Sequence, residues 1–191
     1  MVVTAERATG FDLADPLEAR RAVEQVDRLD ALVANHGTVI RGPAEEFALE
    51  DWRRILDVNL TSVFVLAQAA AQRMPDGGAM VLLASQTSFG GGVNTAAYSA
   101  SKGGVAQLAK SLSNEWAGRG IRVNAVAPGW VETEMTSNLS LERRAEITAR
   151  IPMGRWAWPE EIAEAVAWLA SPAAGYVTGA VVPVDGGYLA R

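Results

Sequence analysis

Short apolar runs alternate along the chain with longer stretches in which apolar residues recur at helical spacing. The short runs predict strands at residues 2–5, 9–12, 31–35, 79–85, 121–127 and 180–184. Most of these runs are rich in Val, Leu and Ile without polar alternation, which is typical of strands covered on both faces. Strands alternating with helices indicate a three-layer α/β/α fold with a mainly parallel sheet. No linker or repeat divides the sequence, so we treat residues 1–191 as one domain.

Four helices are predicted between and after these strands. Asp15, Pro16 and Glu18 supply an N-cap carboxylate, a proline at the first helical position and a returning acidic side chain. A second helix is predicted at residues 45–74 with an interruption near Asn59, a third at 96–117 and a fourth from Pro159. Ligands of such sheets bind beyond the carboxyl ends of the strands, so the residues found there are the candidates for chemistry.

Tyr98 and Lys102 open the third predicted helix, four residues apart, so that their side chains share one helix face. A nearby ammonium stabilises a phenolate and lowers a tyrosine pKa that is about 10 when unperturbed. Such a tyrosine can donate and accept a proton near neutral pH. The alternative is an ordinary surface pair. The chain has only two lysines, Lys102 and Lys110, and this scarcity favours the chemical interpretation.

Three polar residues near the predicted strand ends and helices each have a chemical and a plain structural interpretation. Ser85 closes the strand predicted at 79–85, where its hydroxyl could hold a substrate oxygen or simply form a turn. Asn59 either takes part in the site or only marks a distortion of the long helix, because asparagine competes with helical hydrogen bonds. For His36, which follows the strand predicted at 31–35, an ordinary loop histidine is favoured over a catalytic role.

Composition and charge exclude several classes of function. The chain carries 17 basic and 22 acidic side chains, a formal net charge of −5, which argues against non-specific nucleic-acid binding. Zero cysteines and one histidine argue against disulfides, a cysteine nucleophile and multi-histidine metal centres. Early charges at Glu6 and Arg7 argue against a signal peptide, and the uncharged segment 77–101 contains too much glycine for a membrane span. We therefore expect a cytoplasmic protein with no metal, membrane or nucleic-acid partner.

Further motifs follow one another in order along the chain. They are Asp12-Leu13-Ala14-Asp15, Arg122-Val123-Asn124-Ala125-Val126-Ala127-Pro128-Gly129 with Thr133 four residues on, Tyr176-Val177-Thr178-Gly179, and Val184-Asp185-Gly186-Gly187. With the Tyr98–Lys102 segment they make nearly the whole chain resemble the short-chain dehydrogenase/reductase family, in its branch of small ketone reductases and secondary-alcohol dehydrogenases. The resemblance implies a Rossmann-like, doubly wound parallel sheet and hydride transfer between a nicotinamide cofactor and a ketone or secondary alcohol. An enoyl reductase is less favoured, since that branch places its lysine further from the tyrosine.

When the family's motifs are matched to this sequence position by position, the resemblance implies a catalytic tetrad of Asn59, Ser85, Tyr98 and Lys102. Tyr98 would exchange a proton with the substrate oxygen, and Ser85 would position that oxygen. Lys102 would lower the tyrosine pKa and hold the nicotinamide ribose, while Asn59 would support a water that relays protons towards Lys102.

The resemblance also implies a set of cofactor-binding residues. Besides Tyr98 and Lys102, they are Glu6 at the adenosine ribose, Asp12 and Leu13 at the adenine, Asn35 and Gly37 along the cofactor, and Pro128, Gly129, Val131 and Thr133 beside the nicotinamide and pyrophosphate. Ala34 and His36 depart from the family's usual Asn-Asn-Ala-Gly wording.

The family's first strand, glycine-rich phosphate loop and first helix have no counterpart in this sequence. Residues 4–11 contain a single glycine, Gly10. We expect either about 35 upstream residues lost through a misplaced start or a rearranged chain, and weak or no NAD(H) binding by the 191-residue form. Glu6 would accept from ribose hydroxyls and favour NAD, although Arg7 leaves NADP open and Glu6 is equally well a loop residue. A catalytically inactive relative that serves as a binding or oligomerisation module is the alternative function.

The segments after Ser85 and Gly129 are expected to form the substrate walls. Their apolar residues are Phe89, Val93, Trp130, Met135, Leu139, Met153 and Trp156. These residues either line a pocket for a ketone or secondary alcohol or pack a small helix at 141–151 onto the body. Arg143, Arg144 and Arg150 could meet an acidic carrier of a β-ketoacyl thioester or form a solvated helix face. The family implies a homo-oligomer, a dimer or a tetramer.

Overall fold

Four parallel strands form one sheet whose spatial order is the same as their order in the chain. In the computed structural model, which describes residues 10–75 and 77–190, they are β1 (Ala31–Ala34), β2 (Gly78–Leu83), β3 (Ile121–Pro128) and β4 (Val181–Val184). The register pairs Ala31 with Ala79, Met80 with Val123 and Val126 with Val182. Every connection crosses over through helix, as parallel neighbours require. The parallel sheet is confirmed.

Two of the predicted strands fall at or before the start of the described chain. Residues 2–5, together with Glu6, lie outside the described residues. The strand predicted at 9–12 is wrong over residues 10–12, which form a turn and irregular chain. Gly10 has a φ of +92°, and the Asp12 carboxylate accepts from the Ala14 N–H at 3.1 Å. Both features bend the chain towards the first helix instead of extending it.

Helices cover the sheet on both sides. They are α1 (Pro16–Glu24), α2 (Leu49–Leu56), α3 (Ser62–Ala71), α4 (Ala96–Trp116), α5 (Leu141–Thr148) and α6 (Pro159–Ala170). One apolar cluster joins α1, α3 and α4 to the face of the sheet that carries Met80 and Leu82. A second cluster joins α6 to the opposite face, which carries Val81 and Leu83. Because successive residues of β2 point to opposite faces and both are covered, the fold has three layers.

The predicted long second helix runs from Leu49 to Ala71 and is interrupted by a π-turn at Asp57–Thr61. By length and by its mean hydropathy of 1.2, this helix would suffice to cross a membrane, but 56% of the apolar window is buried. In α3 the buried side includes Ala67 and Ala70, whose small side chains let α3 pack closely on α1 and the sheet. The helix is therefore built as a core helix.

Two motifs that carried the family resemblance serve the architecture. The Asn124 side chain donates to Val177 O at 2.8 Å and accepts from Ala180 N at 3.0 Å. The Thr178 hydroxyl accepts from Val123 N at 3.1 Å. These bonds tie β3 to the segment that leads into β4, so this part of the pattern fixes strand order beside the site.

Candidate active site

Asn59 links three elements at the carboxyl end of β1. It is fully buried in the π-turn. Its Oδ1 accepts from Thr38 N at 2.8 Å, and its Nδ2 donates to Thr38 O at 2.9 Å and to Ser101 Oγ at 3.1 Å. A buried amide needs such partners. Asn59 therefore marks a helix distortion and also joins the end of β1 to α4, while its part in catalysis stays a prediction.

Lys102 is buried at 4% exposure on the α4 face that meets β2. Its Nζ donates to Leu83 O at 2.5 Å. Burial lowers the pKa of Lys102 from 10.5 to about 8, because an ammonium loses its hydration in the interior. A cation held against a strand end, beside the chain that follows β1, suits the binding of a polar ligand there.

Tyr98 and Ser85 bring two hydroxyl groups together. Ser85 follows β2, and its Oγ accepts from Thr87 N at 3.2 Å, which caps a short 3-10 turn. Burial raises the pKa of the Tyr98 phenol above its usual 10.0, while a hydrogen bond with Ser85 and the charge of Arg41 act in the opposite direction. This differs from the expectation that Lys102 lowers this pKa. The reason is that Lys102, whose pKa is about 8, is already neutral at the pH at which the phenol ionises, so the cation that acts on Tyr98 is Arg41.

The chain after β1 forms a concave surface against these groups. A side chain at Gly37 would bring its Cβ to 3.4 Å from Asn59 Oδ1 and 3.5 Å from Lys102 Nζ. Glycine therefore leaves open backbone over the Lys102 ammonium, where a sugar hydroxyl could approach. Asn35 is exposed beside it. This arrangement is compatible with the predicted place of Asn35 and Gly37 along the cofactor and of Lys102 at its nicotinamide ribose.

The predicted cofactor residues after β3 form a second wall. Pro128 ends β3, and Gly129 N donates to Val184 O at 3.0 Å. A Cβ at Gly129 would lie 2.7 Å from Asp185 Cα, so only glycine allows this approach. Val131 pairs with Ala157 in a bridge, and Thr133 caps the 3-10 turn that follows.

Asp12 and Leu13 lie apart from the tetrad. Leu13 packs on the larger apolar cluster, and Asp12 forms the turn before α1. Ala14, the residue after Leu13, lines a surface cleft of about 460 Å³ together with residues of α2 and the π-turn. The lining residues are Ala14, Glu50, Arg53, Arg54, Asp57 and Val58. None of the tetrad residues lines this cleft, and the adenine contacts of Asp12 and Leu13 stay predictions. Glu6 lies outside the described residues.

The apolar residues expected as substrate walls divide into two groups. Trp130, Leu139 and Trp156 pack around Ile147 and Ile151, so they hold α5 on the body. Exposed members of the set remain available to a substrate, and they are Phe89, Val93, Met135 and Met153.

The arginines around α5 are engaged within the chain. Arg143 pairs with Glu146 at 2.8 Å, and Arg144 pairs with Glu132. The Arg144 guanidinium also stacks 4.1 Å from the ring centre of Trp156. Arg150 stacks 4.7 Å from the ring centre of Tyr188. These contacts favour the interpretation of a helix face over that of a carrier-protein surface.

Sequence reasoning missed three residues of the site. Thr38 supplies the backbone groups that hold Asn59, and Ser101 accepts from it. The third is Arg41, whose charge acts on Tyr98. The segment that carries Arg41 is held beside the loop before α4, since Gly42 N donates to Asn94 O at 3.1 Å. Only Ser101 had a usable signal, because it lies between Tyr98 and Lys102.

Several known proteins are similar to this chain over most of its length. A family model described as enoyl-(acyl carrier protein) reductase matches residues 9–189. A 2-dehydro-3-deoxy-D-gluconate 5-dehydrogenase of Pseudoalteromonas atlantica is 44% identical over 168 residues, which cover 86% of this chain and 66% of that protein. A cis-4-hydroxycyclohexanecarboxylate dehydrogenase of Sinomonas cyclohexanicum is 44% identical over 89% of this chain and 70% of that protein. The chain thus spans about two thirds of the length of these curated relatives.

A solved structure is similar over the same range. It is an NAD(P)-dependent gluconate 5-dehydrogenase from Beutenbergia cavernae with NADP bound at low occupancy. It is 49% identical to this chain, with a TM-score of 0.92 over 94% of this chain and 75% of that one. The similarity therefore extends from sequence to the full arrangement of the sheet and its helices.

Proposed function

The chain belongs to the short-chain dehydrogenase/reductase family, whose members are NAD(P)-dependent oxidoreductases acting on CH–OH groups, and we propose that it interconverts a ketone and a secondary alcohol by hydride transfer. The observation that carries the proposal is that Ser85, at the end of β2, acts on the pKa of the buried Tyr98 phenol, while Lys102, one helical turn after Tyr98, reaches Leu83 O of the same strand. Two hydroxyls that converge at a strand end can hold one carbonyl oxygen between them.

In the reducing direction, Tyr98 donates its hydroxyl proton to the carbonyl oxygen while the carbonyl carbon accepts a hydride. NAD(P)H supplies that hydride when it is bound. A phenol whose pKa is raised by burial is protonated at neutral pH, which is the form that the donation requires. Ser85 stabilises the oxygen as negative charge develops on it. In the oxidising direction the same atoms move in reverse.

Lys102 and Asn59 prepare the cofactor side of the site in this proposal. Lys102 would hold the nicotinamide ribose, because its ammonium lies under the open backbone of Gly37. Asn59 keeps the chain after β1 in place through its two bonds to Thr38 and so keeps that ribose position open.

We propose that the substrate carries a carboxylate. The names of both curated relatives denote acidic compounds, a gluconate derivative and a cyclohexanecarboxylate. In this chain the charge of Arg41 acts on Tyr98. An arginine whose charge reaches the proton donor can pair with a carboxylate of the substrate and orient the carbonyl.

NADP(H) is the cofactor that we propose, in preference to the NAD that Glu6 alone indicates. The similar Beutenbergia cavernae structure holds NADP. Arg7 follows Glu6 in the sequence and would supply a cation for the 2′-phosphate. Comparing the KM values for NADPH and NADH in one assay tests this choice. Cytoplasmic localisation and a dimeric or tetrameric state stay predictions.

Replacing Tyr98 with phenylalanine tests the proposed function. We expect Tyr98→Phe to lower kcat for ketone reduction with NADPH by about 10²- to 10⁴-fold, the usual contribution of a general acid. Tyr176→Phe is the matched control, because Tyr176 is fully exposed at 104% of its reference area. Turnover that survives Tyr98→Phe would refute the proton donor. No turnover by the unmodified chain on a panel of ketones would favour the inactive binding module.

A further inference from the structure

His36 is half-buried at the end of β1, and its ring contacts the π-turn. The ring Nε2 lies 2.5 Å from the hydroxyl oxygen of Ser62, a fully buried residue. His36 is the single histidine of the chain, and none of the steps proposed above uses it.

Ser62 closes the π-turn with two separate hydrogen bonds. Its backbone N–H donates to Asp57 O, five residues back, which is the bond that defines a π-turn. Its hydroxyl donates to Val58 O at 2.7 Å. A serine hydroxyl has one proton, so its remaining hydrogen-bonding capacity is as an acceptor. His36 Nε2–H is therefore the donor to Ser62.

The turn that His36 and Ser62 hold is the one that presents Asn59. The chain after β1 is thus attached to the π-turn at two points, through His36 to Ser62 and through Thr38 to Asn59. Between these two points lies Gly37, the residue whose backbone faces Asn59 Oδ1 and Lys102 Nζ. Releasing either point would let that backbone move relative to the ammonium.

We propose that His36 is a positioning residue, which fixes the π-turn through Ser62 and thereby sets Asn59 and the Gly37 backbone over Lys102. The inference rests on the proposed function for its kinetic consequence, while its structural part stands on the contacts alone. The family's usual wording has alanine at this place, and alanine has no group that can reach Ser62. His36 touches neither substrate nor reacting atoms, so it acts only through its neighbours.

The ring is neutral near pH 7, because its surroundings disfavour the charged form. Burial, followed by the charge of Lys102, lowers the pKa of His36 from 6.5 to about 4. A neutral ring on the Nε2–H tautomer donates to Ser62 without placing a second cation beside Lys102.

Hydrogen exchange on the full 191-residue chain tests the structural part without any cofactor. We expect His36→Ala to speed exchange of the Thr38 and Ser62 amides about tenfold, the loss of one hydrogen bond, with Val123 in the central strand unchanged. His36→Gln should restore slow exchange, because a glutamine amide can still donate to Ser62. Unchanged exchange at Thr38 and Ser62 in His36→Ala would overturn the proposal, whether or not the chain turns over a ketone.

Kinetics test the functional part. His36→Ala is expected to lower kcat about tenfold with KM for the ketone changed less than twofold, and His36→Gln to recover kcat to within threefold. Ser62→Ala should give a similar loss of kcat. The double variant His36→Ala/Ser62→Ala should have a kcat no lower than that of the less active single variant. If kcat of the double variant falls by the product of the two single-variant factors, the two residues act independently and the proposed coupling is overturned. Failure of the Tyr98→Phe test with exchange behaving as expected would leave this inference standing and refute the function.

Discussion

The Lys102 ammonium donates to the carbonyl oxygen of Leu83 at 2.5 Å, across the contact between α4 and β2. The sequence predicted that this ammonium would share a helix face with Tyr98, one turn earlier, and lower its pKa. In the structure the charge of Lys102 lowers the pKa of His36, while the charge that lowers the pKa of Tyr98 is that of Arg41. The lysine is therefore a buried cation at a strand end, held ready for a polar ligand at Gly37.

Replacing Lys102 with methionine should stabilise the fold. A pKa lowered from 10.5 to about 8 means that the ammonium is disfavoured in the folded state by about 3 kcal/mol. Methionine removes this penalty but also removes the hydrogen bond to Leu83 O, which costs about 1–2 kcal/mol. We expect Lys102→Met to raise the free energy of unfolding at pH 7 by about 1 kcal/mol in urea melts, while abolishing turnover.

The matched control for that substitution is Lys110→Met, on the exposed side of the same helix. It should change the unfolding free energy by less than about 0.5 kcal/mol. The gain from Lys102→Met should fade between pH 8 and pH 10.5. Over that window the folded chain already holds a neutral lysine and the unfolded chain still binds the proton, so the wild type becomes more stable as pH rises. A gain that persists at pH 11 would contradict this explanation.

Gly37→Ala separates folding from cofactor binding. The added Cβ would meet Asn59 Oδ1 at 3.4 Å and Lys102 Nζ at 3.5 Å, which are ordinary contact distances. We expect the unfolding free energy to change by less than about 1 kcal/mol and the affinity for NADPH to fall about tenfold, because the methyl group fills the surface over the ammonium. Calorimetric titration checks the affinity. An unchanged affinity would place the ribose elsewhere.

The single histidine gives a direct measurement of its surroundings. Its NMR titration in the folded chain should have a midpoint near pH 4 instead of 6.5. Between those values the unfolded chain binds the proton and the folded chain does not, so stability falls as pH is lowered through 6.5 and the loss is complete below about 4. The expected total is about 2–3 kcal/mol. In His36→Gln this part of the pH dependence should disappear.

Arg41→Gln tests the proposed acidic substrate. Loss of one charge-assisted contact should raise KM for a carboxylate-bearing ketone about 10- to 100-fold and leave KM for a neutral ketone within twofold. Arg143→Gln is the control, because Arg143 is paired with Glu146 on the exposed side of α5. Sensitivity of a β-ketoacyl carrier substrate to Arg143→Gln, with no effect of Arg41→Gln, would favour the carrier interpretation that the α5 contacts argue against.

The parts of the fold that the sequence predicted are those set by local patterns. Unalternating apolar runs located β1 to β4, and the asparagine at position 59 located the interruption of the long helix. The strand predicted at 9–12 was wrong over residues 10–12, because the residue pattern does not show that Gly10 has a positive φ. The ends of elements also shifted, since β2 stops at Leu83 and Ser85 caps a short turn after it.

From the sequence we could predict which residues lie near one another at the site, but not which groups each of them contacts. The spacing of Tyr98 and Lys102 follows from helix geometry, whereas the partner of each charged group depends on contacts across many residues. The His36–Ser62 bond joins residues 26 apart, and the Lys102–Leu83 bond joins residues 19 apart. Arg41 had no motif around it, because its relation to Tyr98 arises only when the chain after β1 packs beside α4.

The π-turn has a consequence for the spacing of the whole helix from Leu49 to Ala71. A bond that spans five residues instead of four fits one residue more into the cylinder, which rotates everything after Thr61 by about 100° relative to a regular helix. Deleting one residue within 57–61 would let the backbone form a regular α-helix, in which each N–H donates to the carbonyl four residues back. The alanine-rich side of α3 would then no longer face the sheet in phase with α2. The two halves of this helix can therefore both face the core only while the π-turn that holds Asn59 against Thr38 and Ser101 is kept.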